Sequence, residues 1–481
     1  MKIKKIIMFG LITVCLSNPI YSQNYNDAFR LSEQGYEYDA KTMSLGNSTI
    51  GSFGNFSSTL INPAGIGTIQ KSILNFSFGT NSFTNSSNFF NTTTMADKSD
   101  NSTNQFSLVL PLPTRKGNAV LAFGYNQSRD FNSTLKFDGF NPNNNSMIQD
   151  LTDFNDDLAY ELYLSYPTYD ANDKYIHDET NISGRLNQSG TLNEEGSLNS
   201  WVMSGAWQAS KNLYIGGTFN IISGDYKSNR TYLEDDTKNL YEGFLDPADS
   251  NTFGFRSFYL NDVIDWEVNG WDFRLGILYQ MNKMLSFGAT VKFPTSFTVR
   301  EKYSIYGESE FENDIYYVDY PGDAYEYEIS SPMELSGGVT ASLPLLNVSA
   351  SLKYVDYSQL EFTNGIERID MDAKNKIINE VMESVVNFNF GAEFTLPYPA
   401  MKIRGGFIYN PSPYVGDGSE YDRKYFTAGL GLPLSPNLII DFAYLHGWWN
   451  NFGDNYGNNL SRTYQDISLN KVVISLNYVF M

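Results

Sequence analysis

Past residue 22 no stretch approaches the ~18 consecutive apolar residues that a membrane-spanning helix needs, yet segment after segment alternates with a period of two. Residues 346–355 put Leu346, Val348, Ala350, Leu352 and Tyr354 on one face and Asn347, Ser349, Ser351 and Lys353 on the other. Residues 285–293 set Leu285, Phe287, Ala289, Val291 and Phe293 against Ser286, Gly288, Thr290 and Lys292. Residues 386–394 repeat the pattern, and Val472, Ile474, Leu476, Tyr478 and Phe480 share a face near the end. Such alternation is the mark of a strand with two unlike faces.

A soluble sandwich alternates too, but its wet face usually carries many charges. Here the second face is mostly Asn, Ser, Thr and Gly with single charges, and charged residues make up only 18% of the chain against about 25% in soluble domains. Small polar residues toward a lumen and an apolar band toward lipid are what a membrane barrel needs. Closure is also the only way a sheet pairs every backbone group in hydrocarbon. The expected fold is therefore all-β: an antiparallel transmembrane β-barrel of about 14 strands. The strands are read near 72–80, 104–111, 119–137, 198–210, 213–229, 258–281, 284–305, 316–342, 346–362, 383–396, 400–410, 421–433, 437–449 and 464–481. Short turns such as Lys211-Asn212 alternate with long connections such as 138–197, so both barrel ends lie on the short-turn side, the periplasmic side of an outer-membrane barrel. Within 138–197, Leu151, Phe154, Leu158 and Leu162 form one apolar face of a short helix.

The start of the chain sets the compartment. Lys2, Lys4 and Lys5 precede the apolar run Ile6 to Leu16, the pattern of a secretory signal peptide over 1–22. Removing it leaves 33 − 3 = 30 basic and 54 acidic residues, a formal charge of −24, and takes away the single Cys, Cys15. This acidity excludes nucleic acid as a partner. It fits a surface facing outer-membrane lipid, lipopolysaccharide and divalent cations. The sequence leaves the oligomeric state open.

Residues 23–70 do not alternate. They carry Met43-Ser44-Leu45-Gly46-Asn47 and then Asn62-Pro63-Ala64-Gly65, a compact turn and a poor strand. A bore of this size needs filling, so 23–70 is expected to form a hatch inside the barrel, and 71–481 the barrel itself. In this position the two motifs resemble those of the outer-membrane long-chain fatty-acid and aromatic hydrocarbon transporter family (FadL/TodX/OMPP1). Ser351 to Ser358, Ile403 to Pro413, and Asp422-Arg423 leading into Phe426 to Tyr444 match that family's style as well. An acidic pair often found before Asn-Pro-Ala-Gly in the family is Gly54-Asn55 here. The resemblance implies uptake of hydrophobic small molecules through a lumenal pocket, followed by sideways exit into the membrane. The exit needs a kinked strand, and Gly117 to Phe131, interrupted at Asp130, is the candidate. A barrel serving a type IX-like protein export system is the alternative. A stably bound secreted partner would favour it, and bound lipid would favour uptake.

Nothing points to catalysis, a metal or a cofactor. His177 and His446 are the only histidines, neither in metal-ligand spacing, and no Gly-x-Ser-x-Gly occurs. The candidate site residues are Asn62, Pro63, Ala64 and Gly65 in the hatch, and Arg274, Lys292 and Lys353 as a lumenal cluster for a carboxylate. Parity points these three inward, and their distances from the short turns put them at similar depth. Lys402 and Arg404 sit lower, near Glu393, as a structural group.

Overall fold

The structure, a computed structural model, describes residues 25–481 apart from 34, 37, 53, 154–156, 399, 458 and 481. The expected signal peptide over 1–22 and the predicted helix residue Phe154 lie outside the described residues. Fourteen strand passages form one antiparallel wall. They are β1 (Ser72–Phe89), β2 (Thr92–Leu112), β3 (Ala119–Asp130 and Ser133–Phe140), β4 (Asn187–Ser210), β5 (Leu213–Asp235) and β6 (Phe255–Gln280). Next come β7 (Leu285–Lys292 and Ser296–Phe311), β8 (Ile315–Tyr320, Ala324–Ser330 and Glu334–Ser342) and β9 (Leu346–Asp356 and Glu361–Asn364). The wall ends with β10 (Ser384–Thr395), β11 (Lys402–Asn410), β12 (Arg423–Ser435), β13 (Leu438–Asp454) and β14 (Arg462–Phe480). Each pairs with its sequence neighbour, and β14 returns to β1 from Ser72–Phe480 to Asn88–Tyr464, which closes the barrel.

The predicted alternation is the barrel's radial order. Phe106, Tyr125, Trp201, Ile221 and Trp271 form one cross-strand row over β2 to β6. Except for half-covered Tyr125, they stand exposed on the outer face. Trp207 and Tyr279 are exposed nearer the short turns. Aromatics at both rims of an apolar band are the interfacial girdles of a membrane barrel. Above the upper row, outward positions turn polar, as at Ser223, Asp225 and Lys227 on β5.

Three connections differ from the expectation. Residues 81–103 are not a loop: β1 and β2 run on as a hairpin to a two-residue turn at Phe90-Asn91, both with positive φ, the hairpin conformation that matches strand twist. Its upper reach has no apolar face because it stands above the bilayer. For the same reason β4 starts at Asn187 rather than 198. Beyond Phe140, residues 141–186 hold α4 (Met147–Asp153), α5 (Asp157–Glu161) and a small separate hairpin, Tyr166–Tyr169 with Tyr175–Glu179, and no further barrel strand among the described residues.

Before the wall come α1 (Tyr25–Ser32), α2 (Ala40–Ser44), α3 (Ser58–Ile61) and two 3-10 turns, Thr49–Gly51 and Pro63–Thr68. They bond to inward side chains around the barrel. Ala40 N donates to Ser475 Oγ (2.8 Å), Ser286 Oγ to Gly51 O (2.6 Å) and Thr218 Oγ1 to Thr59 O (2.8 Å), and Ser48 and Ser349 share a hydroxyl pair at 2.6 Å. The long connection after β9 carries α6 (Arg368–Val381), whose Ile378 joins α1's Ala28 and Leu31 in one buried apolar cluster.

Candidate substrate path and its hatch

The hatch rests on glycine. A Cβ added at Gly288 would lie 1.9 Å from Ile50 O, at Gly216 2.5 Å from Pro63 C, and at Gly391 2.3 Å from Leu45 O. At Gly406 it would meet Gly46 N at 2.4 Å, and at Gly429 the Ser44 Cβ at 2.4 Å. Several face each other across strand pairs, Gly216 with Gly276, Gly288 with Gly338 and Gly391 with Gly406. Without side chains, the inner wall lets the hatch backbone approach within hydrogen-bonding range. Asn62 fastens one side of this seat. Its Oδ1 accepts from Ala64 N (3.2 Å), and its Nδ2 donates to Ile50 O (2.7 Å) and to the wall carbonyl of Ile277 (2.9 Å). Pro63 opens the 3-10 turn that follows, and Ala64 and Gly65 are buried within it. The sequence motif thus becomes a buried joint between hatch and wall.

The three predicted lumenal cations are found on β6, β7 and β9, with β8 between the last two. Lys292 and Lys353 converge on one carboxylate, Glu334, at 3.2 and 3.6 Å. Arg274 donates instead to the hatch carbonyls of Leu60 and Ile61. Glu334 is the partner that sequence reasoning missed, although its place in register with Lys292 follows once β7 and β8 are aligned. Lower down, Arg404 bonds Glu393 (2.8 Å) and Asp441 (2.6 Å), and Lys402 joins Glu393 at 3.0 Å. Among the described residues no group of three or more His, Cys, Asp or Glu is placed to hold a metal ion. His446 Nδ1 donates to Asn470 Oδ1 (2.9 Å), and the ring stacks on Trp448.

The wall has a break where the sequence suggested a kink. The β2–β3 ladder stops at Gln105–Asn126, one residue beyond the outer aromatic row. Above that point β3 pairs only with β4, bulges between Gln127 and Arg129, and is interrupted at Phe131 and Asn132. Its upper segment meets inward side chains of β1 instead of a ladder: Asn81 bonds Asp130, Asn85 Nδ2 donates to Thr134 O (3.0 Å), and Ser87 Oγ to Lys136 O (2.5 Å). Asn132 lines both an inner cavity of about 200 Å³ and an outer groove of about 570 Å³.

Above the hatch the lumen opens into a larger cavity of about 760 Å³, lined among others by Tyr25, Phe29, Tyr357, Tyr414 and Trp449. Phe29 packs edge-on against Tyr357 and Tyr414, with ring centres 5.2 and 5.6 Å apart. Glu33, Arg423, Trp449 and Asn451 line this cavity and the inner one alike, so the two adjoin. An aromatic chamber at the mouth thus leads toward the break in the wall.

A family model described as outer membrane protein transport protein (OMPP1/FadL/TodX) matches residues 20–478. The chain belongs to this family. Among solved structures, the Pseudomonas putida toluene transporter TodX superposes with a TM-score of 0.56 at 13% identity, over 92% of this chain and 98% of that one. A Pseudomonas aeruginosa FadL homologue gives 0.52 at 10% identity, over 92% and 96%. At such identities these likenesses carry the fold. No curated protein matches the sequence. The protein is an outer-membrane transport barrel of this family, as the motifs in the hatch and in β9 to β13 implied.

Proposed function

We propose that this barrel takes up hydrophobic molecules, long-chain fatty acids or hydrocarbons, which enter at the aromatic mouth and leave sideways through the break between β2 and β3. The observation that carries this reading is the end of the β2–β3 ladder at Gln105–Asn126, level with the outer aromatic row. Backbone pairing is lost there, at the height of the bilayer surface. An apolar chain crossing a watery bore would forgo roughly 0.8 kcal/mol per methylene, so an exit toward lipid is the path of lower free energy. Arg274, Lys292 and Lys353 are proposed as a deeper station for a carboxylate. They line two small cavities of about 80 and 60 Å³ between hatch and wall, and Glu334 bridges the two lysines.

The test uses the mature chain's lack of cysteine. Asn81 and Asp130 bond across the break, so an Asn81→Cys, Asp130→Cys pair staples the upper β3 segment to β1 on oxidation. Uptake of labelled palmitate or toluene by cells lacking other such channels should fall on oxidation and return on reduction. Uptake indifferent to the staple would place the exit elsewhere. No uptake by the wild type would defeat the transport reading.

A further inference from the structure

The hatch carries one carboxylate into the substrate path. Glu33 follows α1 directly and stands where the large and the inner cavity meet. Its Oε2 accepts from Arg129 Nη2 at 2.7 Å, its main-chain oxygen accepts from Arg129 Nη1 at 2.8 Å, and its Oε1 accepts from Arg423. Arg129 lies on β3 at the bulge, two residues before the interruption. Arg423 opens β12 from across the lumen, with its guanidinium 5.0 Å from the Trp449 ring centre. Two guanidinium groups from β3 and β12, five strands apart around the ring, therefore hold one carboxylate between them, with its two oxygens divided one to each.

The helix just before Glu33 meets the barrel through both apolar and charged side chains, since Arg30 bonds Asp27 (2.6 Å) and Glu194 of β4 (3.0 Å). Ala28 and Leu31 are buried against a cluster that includes Tyr226, Trp266 and Tyr357, and Phe29 sits among the mouth aromatics. A carboxylate held between two arginines at the edge of an aromatic chamber occupies the place that the head of a fatty acid would need. We propose that Arg129 and Arg423 form a carboxylate site of the substrate path, that Glu33 is its resident occupant, and that an incoming amphiphilic carboxylate replaces Glu33 and frees α1. This rests on the uptake reading above and narrows it to monocarboxylates with an apolar chain.

The exchange is balanced. One anion leaves the arginine pair as another enters, so no guanidinium is left without a counter-charge, and charge-assisted bonds of the same kind are broken and made. A neutral hydrocarbon has no such exchange to offer. It would displace α1 while giving the two arginines no anion in exchange for Glu33. The position of Arg129 adds a consequence. The same side chain that releases Glu33 belongs to the strand whose upper half spans the break, so occupancy of the site is coupled to the segment that closes the exit.

The test is titration of the detergent-solubilised full-length mature chain with dodecanoate and with its methyl ester. Glu33→Gln removes the resident charge and keeps the shape. It should bind dodecanoate at least about tenfold more tightly than the wild type, with ester affinity unchanged. Adding Arg423→Gln to Glu33→Gln should abolish that gain. An equal gain for acid and ester would make Glu33 a simple latch on α1 and overturn the carboxylate site. Unchanged acid binding in Glu33→Gln, with ester bound by both proteins, would overturn it too while leaving the uptake reading standing. If neither protein binds either ligand, both readings fall. Acid binding seen only in Glu33→Gln supports the resident-occupant reading.

Discussion

Replacing Gly288 with alanine should unseat the hatch. The added Cβ would lie 1.9 Å from Ile50 O, 2.6 Å from Ile50 C and 2.7 Å from Asn62 Nδ2. A carbon and a carbonyl oxygen normally approach no closer than about 3.3 Å, so the hatch backbone must retreat by more than an ångström. It cannot do so locally, because the Ile50 oxygen also accepts from Asn62 and Gly51 O accepts from Ser286 of the same strand. Overpacking of this kind costs about 1–3 kcal/mol, and losing the two bonds costs about 0.5–1.5 kcal/mol each. The sum, roughly 2–6 kcal/mol, acts on the hatch and not on the wall, whose β6–β7 and β7–β8 ladders use main-chain groups that the substitution leaves alone. Gly217→Ala is the control, since its Cβ would meet Leu275 Cδ2 at 3.4 Å, Phe273 Cζ at 3.6 Å and Arg274 O at 3.7 Å, all ordinary contacts. Single-channel recordings in planar bilayers should show ion conductance for Gly288→Ala and closed channels for Gly217→Ala and wild type. Protease should then cut the hatch near Lys41 in the first variant alone. If Gly288→Ala stays as closed and as resistant as wild type, the close seat is not what holds the hatch.

Removing residues 23–65 altogether should leave a barrel that inserts but conducts ions; a deletion protein as closed as the wild type would refute the plug. Arg404→Leu leaves Asp441 buried without its guanidinium and Glu393 with one bridging cation, Lys402, in place of two, which should cost about 3–5 kcal/mol, read as a lower urea midpoint; an unchanged midpoint would show that the lower barrel does not depend on this guanidinium. In the extracellular crown, Glu234 accepts from Met147 N (2.9 Å), Gln188 Nε2 (2.8 Å) and Tyr232 OH (2.9 Å), and burial pushes its carboxyl up to about 7 from an ordinary 4.5. The folded crown therefore keeps a proton that the unfolded chain has lost between those values. Stability should fall as pH rises from about 4.5 to 7, by about 3 kcal/mol at most, and flatten above. Glu234→Gln should lose that slope, and a slope that persists would place the titrating group elsewhere.

Much of the wall was legible because lipid and lumen demand opposite chemistries of alternate residues. The pattern through 346–355 or 285–293 needs no partner to be read. It fades where the demand does: above the aromatic row the outer face of residues 81–103 meets water and the buried inner face of β1 mixes Asn81, Asn85 and Ser87 with Phe83 and Phe89, so the strand continues without an apolar face to mark it. The hatch motif was legible as a turn, and Asn62 capping Ala64 N follows from residue type alone. Its two further bonds do not, because Ile50 and Ile277 come from other parts of the chain. The depth reckoning brought Lys292 and Lys353 to one level, yet it could not supply Glu334, which reaches them from a neighbouring strand. Glu33 and Arg129 carry no motif, and Arg423 stands in the sequence as part of a stretch like the family's, with nothing to mark its partner. The three lie far apart in sequence and meet only because α1 sits inside a closed ring.

That ring closes along a single seam. β1 and β14 pair from Ser72–Phe480 to Asn88–Tyr464, so the first and last strands of the wall are immediate neighbours although nearly the whole barrel lies between them in sequence. Contacts of such long separation exact the full entropy of loop closure before they return anything, and chains dominated by them fold slowly. Until the seam forms, both edges present unpaired backbone to any other strand nearby. Completion is thus withheld until the final strand has been delivered, and the chain spends its time before that as a species that must be kept from its own kind.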